Sequence, residues 1–185
     1  MNYFKKIFIT FLSALILTVV NTSSSFAKVE GDTIVLGAAV SLTGKYSSNG
    51  VHTQNGYNLA VERINSMGGV KVKGKNYKFK IIYYDDESNS GRAAQLAERL
   101  IKQDGVQYML GPYSSGLTKA MAPVTEKYKI PMVEANGASR SLFTKGYKYL
   151  FAVLAPANLY LDVAIDLAVE KNGGKPVKIA MAFEQ

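Results

Sequence analysis

The chain contains no cysteine, no tryptophan and a single histidine, His52, among its 185 residues. Without cysteine it can form no disulfide and has no thiol to act as a nucleophile or metal ligand. One histidine leaves few ways to build a serine hydrolase, and the G-x-S-x-G pattern is absent around Ser114 and Ser115. Because the residues offer no competent acid–base pair, we predict that the protein is not an enzyme and uses no metal or cofactor.

Signatures of phosphate binding are also missing. The segment that begins at Gly111 lacks the Lys-[Ser/Thr] ending of a P-loop, and no G-x-G-x-x-G follows the first apolar run. Asp85, Asp86 and Glu87 resemble the Mg²⁺ site of a phosphoacceptor domain, but residues 1–27 predict export, and an exported protein has no obvious phosphodonor. We therefore expect these acids to face water at a strand end or to cap the next helix.

The chain has fewer acidic than basic residues: 14 Asp and Glu against 22 Lys and Arg, which gives a formal charge of +8. The lysines between residues 71 and 80 are spread out, as on a solvated surface. They alternate with Tyr77 and Phe79, and this alternation predicts a strand with one buried face. A nucleic-acid site would more often show a basic stripe with interleaved aromatics. We expect no nucleic-acid partner.

The first 27 residues have the three parts of a secretory signal peptide. A short basic start (residues 1–6) precedes an apolar run (residues 7–20) and a polar segment that ends at Ala27. The apolar run is shorter than the roughly 20 residues that a membrane span needs. We predict cleavage after Ala27 and export to the periplasm, with no cysteine at the cleavage site to carry a lipid.

Apolar strands and helical patterns alternate through the rest of the chain. Continuous apolar runs predict strands at residues 33–40, 77–84, 106–110 and 130–133. Helical spacing predicts helices at residues 50–67, 90–103 and 115–128, where Pro123 would allow a kink or an early end. A further helix is predicted at residues 158–171 and a strand at residues 176–183. This βαβ alternation indicates an α/β fold with a parallel sheet flanked by helices.

Four loops follow the predicted strands, and ligands of open parallel sheets gather at that edge. The loops at residues 41–50, 111–116 and 134–139 are rich in Ser, Asn and Gly and poor in charge. Hydroxyls, amides and free backbone N–H groups at helix starts suit the carboxylate of a small ligand. For Ser114 and Ser115, a plain helix cap and a ligand contact are equally favoured and mutually compatible.

Several short motifs in a fixed order resemble those of one known family. They are S-L-T-G-K at 41–45, N-G-x-x-x-A-x-x-x-I-N-x-x-G-G at 55–69, Y-D-D at 84–86, G-P-Y-S-S at 111–115, I-P-M-V at 130–133 and K-G-Y at 145–147. Each is weak alone, but their order is specific. Together they resemble type 1 periplasmic solute-binding proteins of the leucine/isoleucine/valine-binding kind, which serve ABC importers.

The resemblance implies two α/β lobes that close on a solute. Residues 28–150 would form a nearly complete first lobe. Residues 151–185 would form the hinge crossing and only the start of the second lobe, as in a chain truncated before most of that lobe. The implied partners are a small-molecule solute, an amino acid or a related compound, and a membrane permease; the full-length protein would be a monomer. The solute itself and the ligand residues of the second lobe stay unassigned.

Carried over by position, the ligand contacts of the first lobe fall on a small set of residues. The resemblance implies that Ser115 caps its helix. It also implies that Ser115 and this helix end receive the solute's carboxylate. Asn49 and Ala138 stand where branched-chain binders often have an aromatic residue and a threonine, so leucine specificity is not implied. A ligand-sensing receptor or regulator on the same fold remains the alternative. The predicted ligand residues are Asn49, Ser114, Ser115, Asn136, Gly137, Ala138 and Ser139.

Overall fold

A computed structural model describes residues 28–180 of the chain. The predicted signal peptide and its cleavage site lie outside the described residues. Within the described range, no helix combines the length and the apolar character that a membrane crossing requires.

The described chain contains one sheet of seven strands. The strands are β1 (Val29–Glu30), β2 (Thr33–Val40), β3 (Val70–Val72), β4 (Lys75–Asp85), β5 (Met109–Leu110), β6 (Met132–Glu134) and β7 (Leu150–Ala152). They lie in the order β3-β4-β2-β5-β6-β7, and β1 pairs with β2. The pairs β2–β4, β2–β5, β5–β6 and β6–β7 are parallel, as the βαβ alternation predicted.

Helices cover both faces of this sheet. The helices are α1 (Ser47–Ser66), α2 (Ser90–Lys102), α3 (Ser115–Tyr128) and α4 (Asp162–Lys171), with 3-10 turns at Arg140–Leu142 and Ala157–Leu159. On one face, α1 lies over β4, where the Asn65 side chain bonds both the N–H and the C=O of Phe79. On the other face, α2 packs on β2, α3 packs on β6 and β7, and the two helices pack on each other around the main hydrophobic core.

The core is built from the apolar strands and from one face of α2 and α3. Removing these side chains from water is the main favourable term in folding, at about 25 cal/mol per Å² of apolar surface. The core therefore lies at the apolar positions that the strand and helix patterns of the sequence predicted. Its fully buried larger members are Val35, Leu100, Val106, Met109, Leu117, Met121, Met132 and Leu142.

Two antiparallel strands were not predicted. β1 pairs with the start of β2, and β3 forms a hairpin with β4 that places Val70 opposite Tyr77. Both strands are only two or three residues long and mostly exposed. They carry too little apolar alternation to be recognised in the sequence.

Two central strands begin later than predicted because their first residues complete the preceding helices. The N–H of Val106 bonds the Leu100 carbonyl of α2, and the N–H of Ile130 bonds the Thr125 carbonyl of α3. These donors are therefore used at helix ends before the ladders start at Met109 and Met132. Helix α3 runs through the exposed Pro123 to Tyr128, so the early end that this proline allowed does not occur.

The last described segment also differs from the prediction. Helix α4 begins at Asp162, four residues after the predicted start, because a 3-10 turn precedes it. Residues 176–180 form no strand, and the rest of the predicted strand lies outside the described residues. Helix α4 has no buried residue, and the apolar Leu161, Val163 and Leu167 beside and within it are exposed.

Candidate functional site

A concave pocket lies where the strands of the parallel sheet end. Its volume is about 420 Å³, within the range of small-molecule sites. The first turns of α1 form one wall, and the loops that follow β5 and β6 form the other. Its lining residues are Asn49, His52, Thr53, Gly56, Tyr57, Tyr113, Ala135 and Asn136.

Helix α1 places a stripe of side chains in this pocket. The helix begins at Ser47, three residues before its predicted start, because the Gly50 N–H already bonds the Tyr46 carbonyl at 2.8 Å. Asn49 therefore lies in the first helical turn instead of a loop. His52, Thr53 and Gly56 follow it at helical spacing on the same face. These three residues were not predicted, although that spacing would have revealed them once Asn49 was placed on the helix.

Two tyrosines complete the walls of the pocket. The Tyr57 hydroxyl donates a 2.7 Å hydrogen bond to the Gly111 carbonyl, which ties α1 to the loop after β5. Burial, together with the negative charge of Glu134, raises the pKa of Tyr57, so it stays a neutral donor. Tyr113 packs edge-to-face on Tyr46, with ring centroids 5.5 Å apart. Neither lining tyrosine was predicted, although Tyr113 lies inside the quoted G-P-Y-S-S motif.

Ser115 does not cap its helix, contrary to prediction. The N-cap of α3 is Ser114, whose side chain makes no capping hydrogen bond, and Ser115 is the first helical residue. The Ser115 oxygen instead accepts a 3.1 Å hydrogen bond from the backbone N–H of Ser139. A hydroxyl that accepts keeps its own proton free to donate. This contact joins the two loops that carry the predicted ligand residues.

Glu134, the last residue of β6, is fully buried beneath the pocket. Its Oε1 accepts the backbone N–H groups of Asn136 and Gly137, and its Oε2 accepts the Thr118 hydroxyl at 2.6 Å. Burial raises the pKa of this carboxyl, although the bonds from Thr118 and Asn136 favour its charged form. Among the described residues, no Lys, Arg or His forms an ion pair with it.

The acids at the end of β4 anchor the loop that leads into α1. Asp85 Oδ1 accepts backbone N–H groups from Leu42, Thr43 and Glu87, and its Oδ2 accepts the Thr43 hydroxyl at 2.7 Å. Asp86 is fully buried and accepts the Ser41 hydroxyl at 2.6 Å. The expectation that these acids face water or cap α2 is therefore wrong for Asp86.

The cap of α2 is instead Asn89, whose side chain accepts the Arg92 N–H. Asp85 and Asp86 both accept hydrogen bonds from the chain itself, although Oδ2 of Asp86 is buried without a partner among the described residues. Within the part of the chain that the structure describes, there is no group of three or more His, Asp or Glu residues that could hold a metal.

Replacing Asp85 with asparagine should lower the free energy of unfolding at pH 7 by about 1–2 kcal/mol, because an amide cannot accept so many donors. Burial opposes ionisation of Asp85, but its hydrogen bonds from Glu87, Thr43 and Leu42 outweigh that and lower its pKa below 3.8. A lowered carboxyl pKa stabilises the fold above the unfolded value, and this contribution is lost as pH falls through the folded pKa. Denaturation should therefore show a smaller difference in the free energy of unfolding between the unsubstituted chain and Asp85→Asn at pH 3 than at pH 7. An equal difference at the two pH values would contradict this.

The predicted ligand residues do not all lie in one place. Asn49 and Asn136 line the pocket from opposite walls. Ser115 and Ser139 bond each other next to it, and Gly137 is buried with its N–H on Glu134. Ser114 and Ala138 are half-buried and are not lining residues.

The chain is similar in sequence to known proteins. A family profile described as "Periplasmic binding protein" matches residues 33–183. The leucine-, isoleucine-, valine-, threonine- and alanine-binding protein of Pseudomonas aeruginosa is 25% identical over 148 residues, which cover 80% of this chain and 38% of that protein. The chain thus spans well under half the length of this relative.

The chain is also similar to solved structures of solute-binding proteins. The isoleucine complex of a branched-chain amino acid transporter substrate-binding protein from Streptococcus pneumoniae has a TM-score of 0.61 and 28% identity, covering 72% of this chain and 39% of that one. A Rhodopseudomonas palustris solute-binding protein in complex with 3,4-dihydroxybenzoic acid has a TM-score of 0.63 and 26% identity, covering 76% and 37%. The parallel sheet, its flanking helices and the family match over most of the chain lead to one conclusion: this chain belongs to the periplasmic binding protein family, with the type 1 fold.

Proposed function

We propose that this chain belongs to the extracytoplasmic solute-binding component of an ABC importer. It would capture a small carboxylate- or amide-bearing solute, such as an amino acid or an aromatic acid, and deliver it to a membrane permease without chemical turnover. The observation that supports this most is the pocket at the strand ends, lined by amides, hydroxyls and tyrosines. The similar structures that hold isoleucine and 3,4-dihydroxybenzoate support both solute types.

The first-lobe residues supply donors that suit a carboxylate. In the described part of the chain, the backbone N–H groups of Ser115, Gly116 and Leu117 have no protein acceptor. These donors carry the partial positive charge of a helix start, and the Ser115 hydroxyl proton is also free. We propose that this helix end and Ser115 receive the carboxylate, with Asn49 and Asn136 contacting the rest of the solute. Ser114, Gly137, Ala138 and Ser139 would shape the same wall.

The cellular setting is part of the same proposal. Export through the N-terminal signal peptide, with cleavage after Ala27, would place the protein in the periplasm. Residues 28–150 would act as the first lobe and residues from 151 onward as the hinge and the start of the second. The working protein would be a monomer with a permease as its partner and no role for nucleic acid.

Thermal-shift screening is expected to find a stabilising solute among L-leucine, L-isoleucine and 3,4-dihydroxybenzoate. A ligand that binds only the folded state stabilises it by about 2.7 kcal/mol when present at 100 times its Kd. Product analysis of the same samples should show every solute unchanged. Stabilisation by nucleotides or sugar phosphates alone, or conversion of a solute, would contradict the proposal.

A further inference from the structure

Glu134 links three elements around the pocket. It ends strand β6, its Oε2 accepts the Thr118 hydroxyl of α3, and its Oε1 accepts the N–H groups of Asn136 and Gly137. Asn136 lines the pocket directly. A fully buried carboxyl therefore determines the path of the loop that carries a pocket side chain.

The surrounding backbone is shaped to enclose this carboxyl group. A Cβ added to Gly111 would lie 2.9 Å from Glu134 Oε2, and one added to Gly137 would lie 2.9 Å from Glu134 Cδ. Both distances are too short for ordinary contacts, so a side chain at either position would displace the Glu134 carboxyl group. The loops after β5 and β6 thus pack on the Glu134 carboxyl from two sides.

The bonds to Glu134 also decide which donors remain for a solute. Asn136 and Gly137 direct their N–H groups inward, and Ser139 directs its own to Ser115. Since each N–H has one proton to donate, these three donors are occupied. The donors of the α3 start and the Ser115 hydroxyl stay available to the carboxylate of a solute.

We propose that Glu134 is a positioning residue that holds the loop of residues 135–139 in its solute-binding conformation. It acts as a hydrogen-bond acceptor and does not contact the solute. This inference rests on the proposed function for its effect on affinity, whereas its effect on the loop can be measured without any solute. Because glutamine keeps one side-chain oxygen as an acceptor, Glu134→Gln should preserve the loop, and Glu134→Ala should release it.

Glu126 provides a matched control. It is a carboxylate of α3 that accepts backbone N–H groups from Lys148 and Tyr149, which do not line the pocket. Glu126→Ala removes the same kind of bond away from the site. It should lower stability without affecting the loop of residues 135–139.

The experiment measures amide hydrogen exchange by NMR in the chain and in its three variants, with binding of L-isoleucine and 3,4-dihydroxybenzoate as probes. In Glu134→Ala, the amides of Asn136 and Gly137 should exchange about tenfold faster, and affinity for whichever probe binds should fall about tenfold. In Glu134→Gln, the exchange rates of these amides and the affinity for the probe should stay within about threefold of the values for the parent. Glu126→Ala should leave both unchanged.

Unchanged exchange at Asn136 and Gly137 in Glu134→Ala would overturn the proposal, as would a Glu134→Gln variant that exchanges as fast as the alanine variant. If Glu126→Ala loses as much affinity as Glu134→Ala, the loss reflects general destabilisation, and the proposal is overturned as well. If neither probe binds any variant, the exchange rates still decide the role of Glu134, and the failure belongs to the proposed function.

A second measurement guards against a Glu134→Ala variant that does not fold. In the unsubstituted chain, the amide proton shifts of Asn136 and Gly137 should titrate together with pH, because both protons bond the same carboxyl oxygen. The pKa of that carboxyl is raised by burial. The shared titration should disappear in Glu134→Gln. Its absence from the unsubstituted chain, or its persistence in the glutamine variant, would contradict the proposed bonds.

Discussion

Replacing Gly50 with alanine is expected to lower the free energy of unfolding by about 3 kcal/mol or more, at the upper end of overpacking costs. A Cβ at this buried position would lie 1.8 Å from the Ser41 carbonyl oxygen. The contact is with backbone at the end of β2, so no side-chain rotation can relieve it. Helix α1 would have to move away from the sheet, and it would carry Asn49 and His52 out of the pocket.

The matched control is Gly56→Ala, two turns further along α1. A Cβ there has no neighbour within 4 Å. Since alanine is a better helix former than glycine, the free energy of unfolding of this variant should rise by up to about 1 kcal/mol. Urea denaturation of both variants gives the comparison. Similar stabilities for the two variants would show that α1 does not approach the Ser41 backbone as described.

Replacing Ser115 with alanine is expected to weaken solute binding by about 1.5–3 kcal/mol, the usual cost of losing a hydrogen bond to a charged group. The Ser115 oxygen already accepts the Ser139 N–H, so its proton is the one available to a carboxylate. The variant also leaves the half-buried Ser139 N–H without its partner. Stability should therefore fall by about 1 kcal/mol, through a lost loop contact instead of a lost helix cap. Calorimetry with the solute identified by screening measures the first effect.

Ser90 offers the control, because it is the first residue of α2 just as Ser115 is the first residue of α3. Ser90 is exposed and does not line the pocket. Ser90→Ala should leave affinity within about twofold of the parent, as surface substitutions usually do. If Ser115→Ala loses stability but keeps its affinity, Ser115 only joins two loops and does not bind the solute.

The fold followed from the sequence because its main signals are local. The apolar run of β2 and the amphipathic pattern of α2 each predict their element without knowledge of the rest of the chain. The start of α1 was placed too late because Tyr46, its N-cap, makes no side-chain cap bond that a sequence pattern would reveal. That error of three residues placed Asn49 in a loop and hid the pocket face of the helix.

The contacts within the site were harder to predict because they join distant segments. Ser115 bonds a residue 24 positions away, and Thr118 bonds Glu134 across 16 positions. No local pattern indicates that a serine at a helix start accepts from another loop instead of capping. Glu134 ends the apolar strand β6, where an acid normally suggests exposure, and the converging N–H and hydroxyl donors explain its burial.

The most direct test of the account is an NMR titration of the ¹⁵N-labelled chain with L-isoleucine and with 3,4-dihydroxybenzoate at up to millimolar concentration. This concentration range also detects weak binding at the described pocket. Saturable amide shifts centred on Asn49, Ser115 and residues 136–139 are expected for at least one of these compounds. Saturable shifts centred instead on the α2 groove between Gln95 and Gln103, or no saturable shift with either compound, would contradict it.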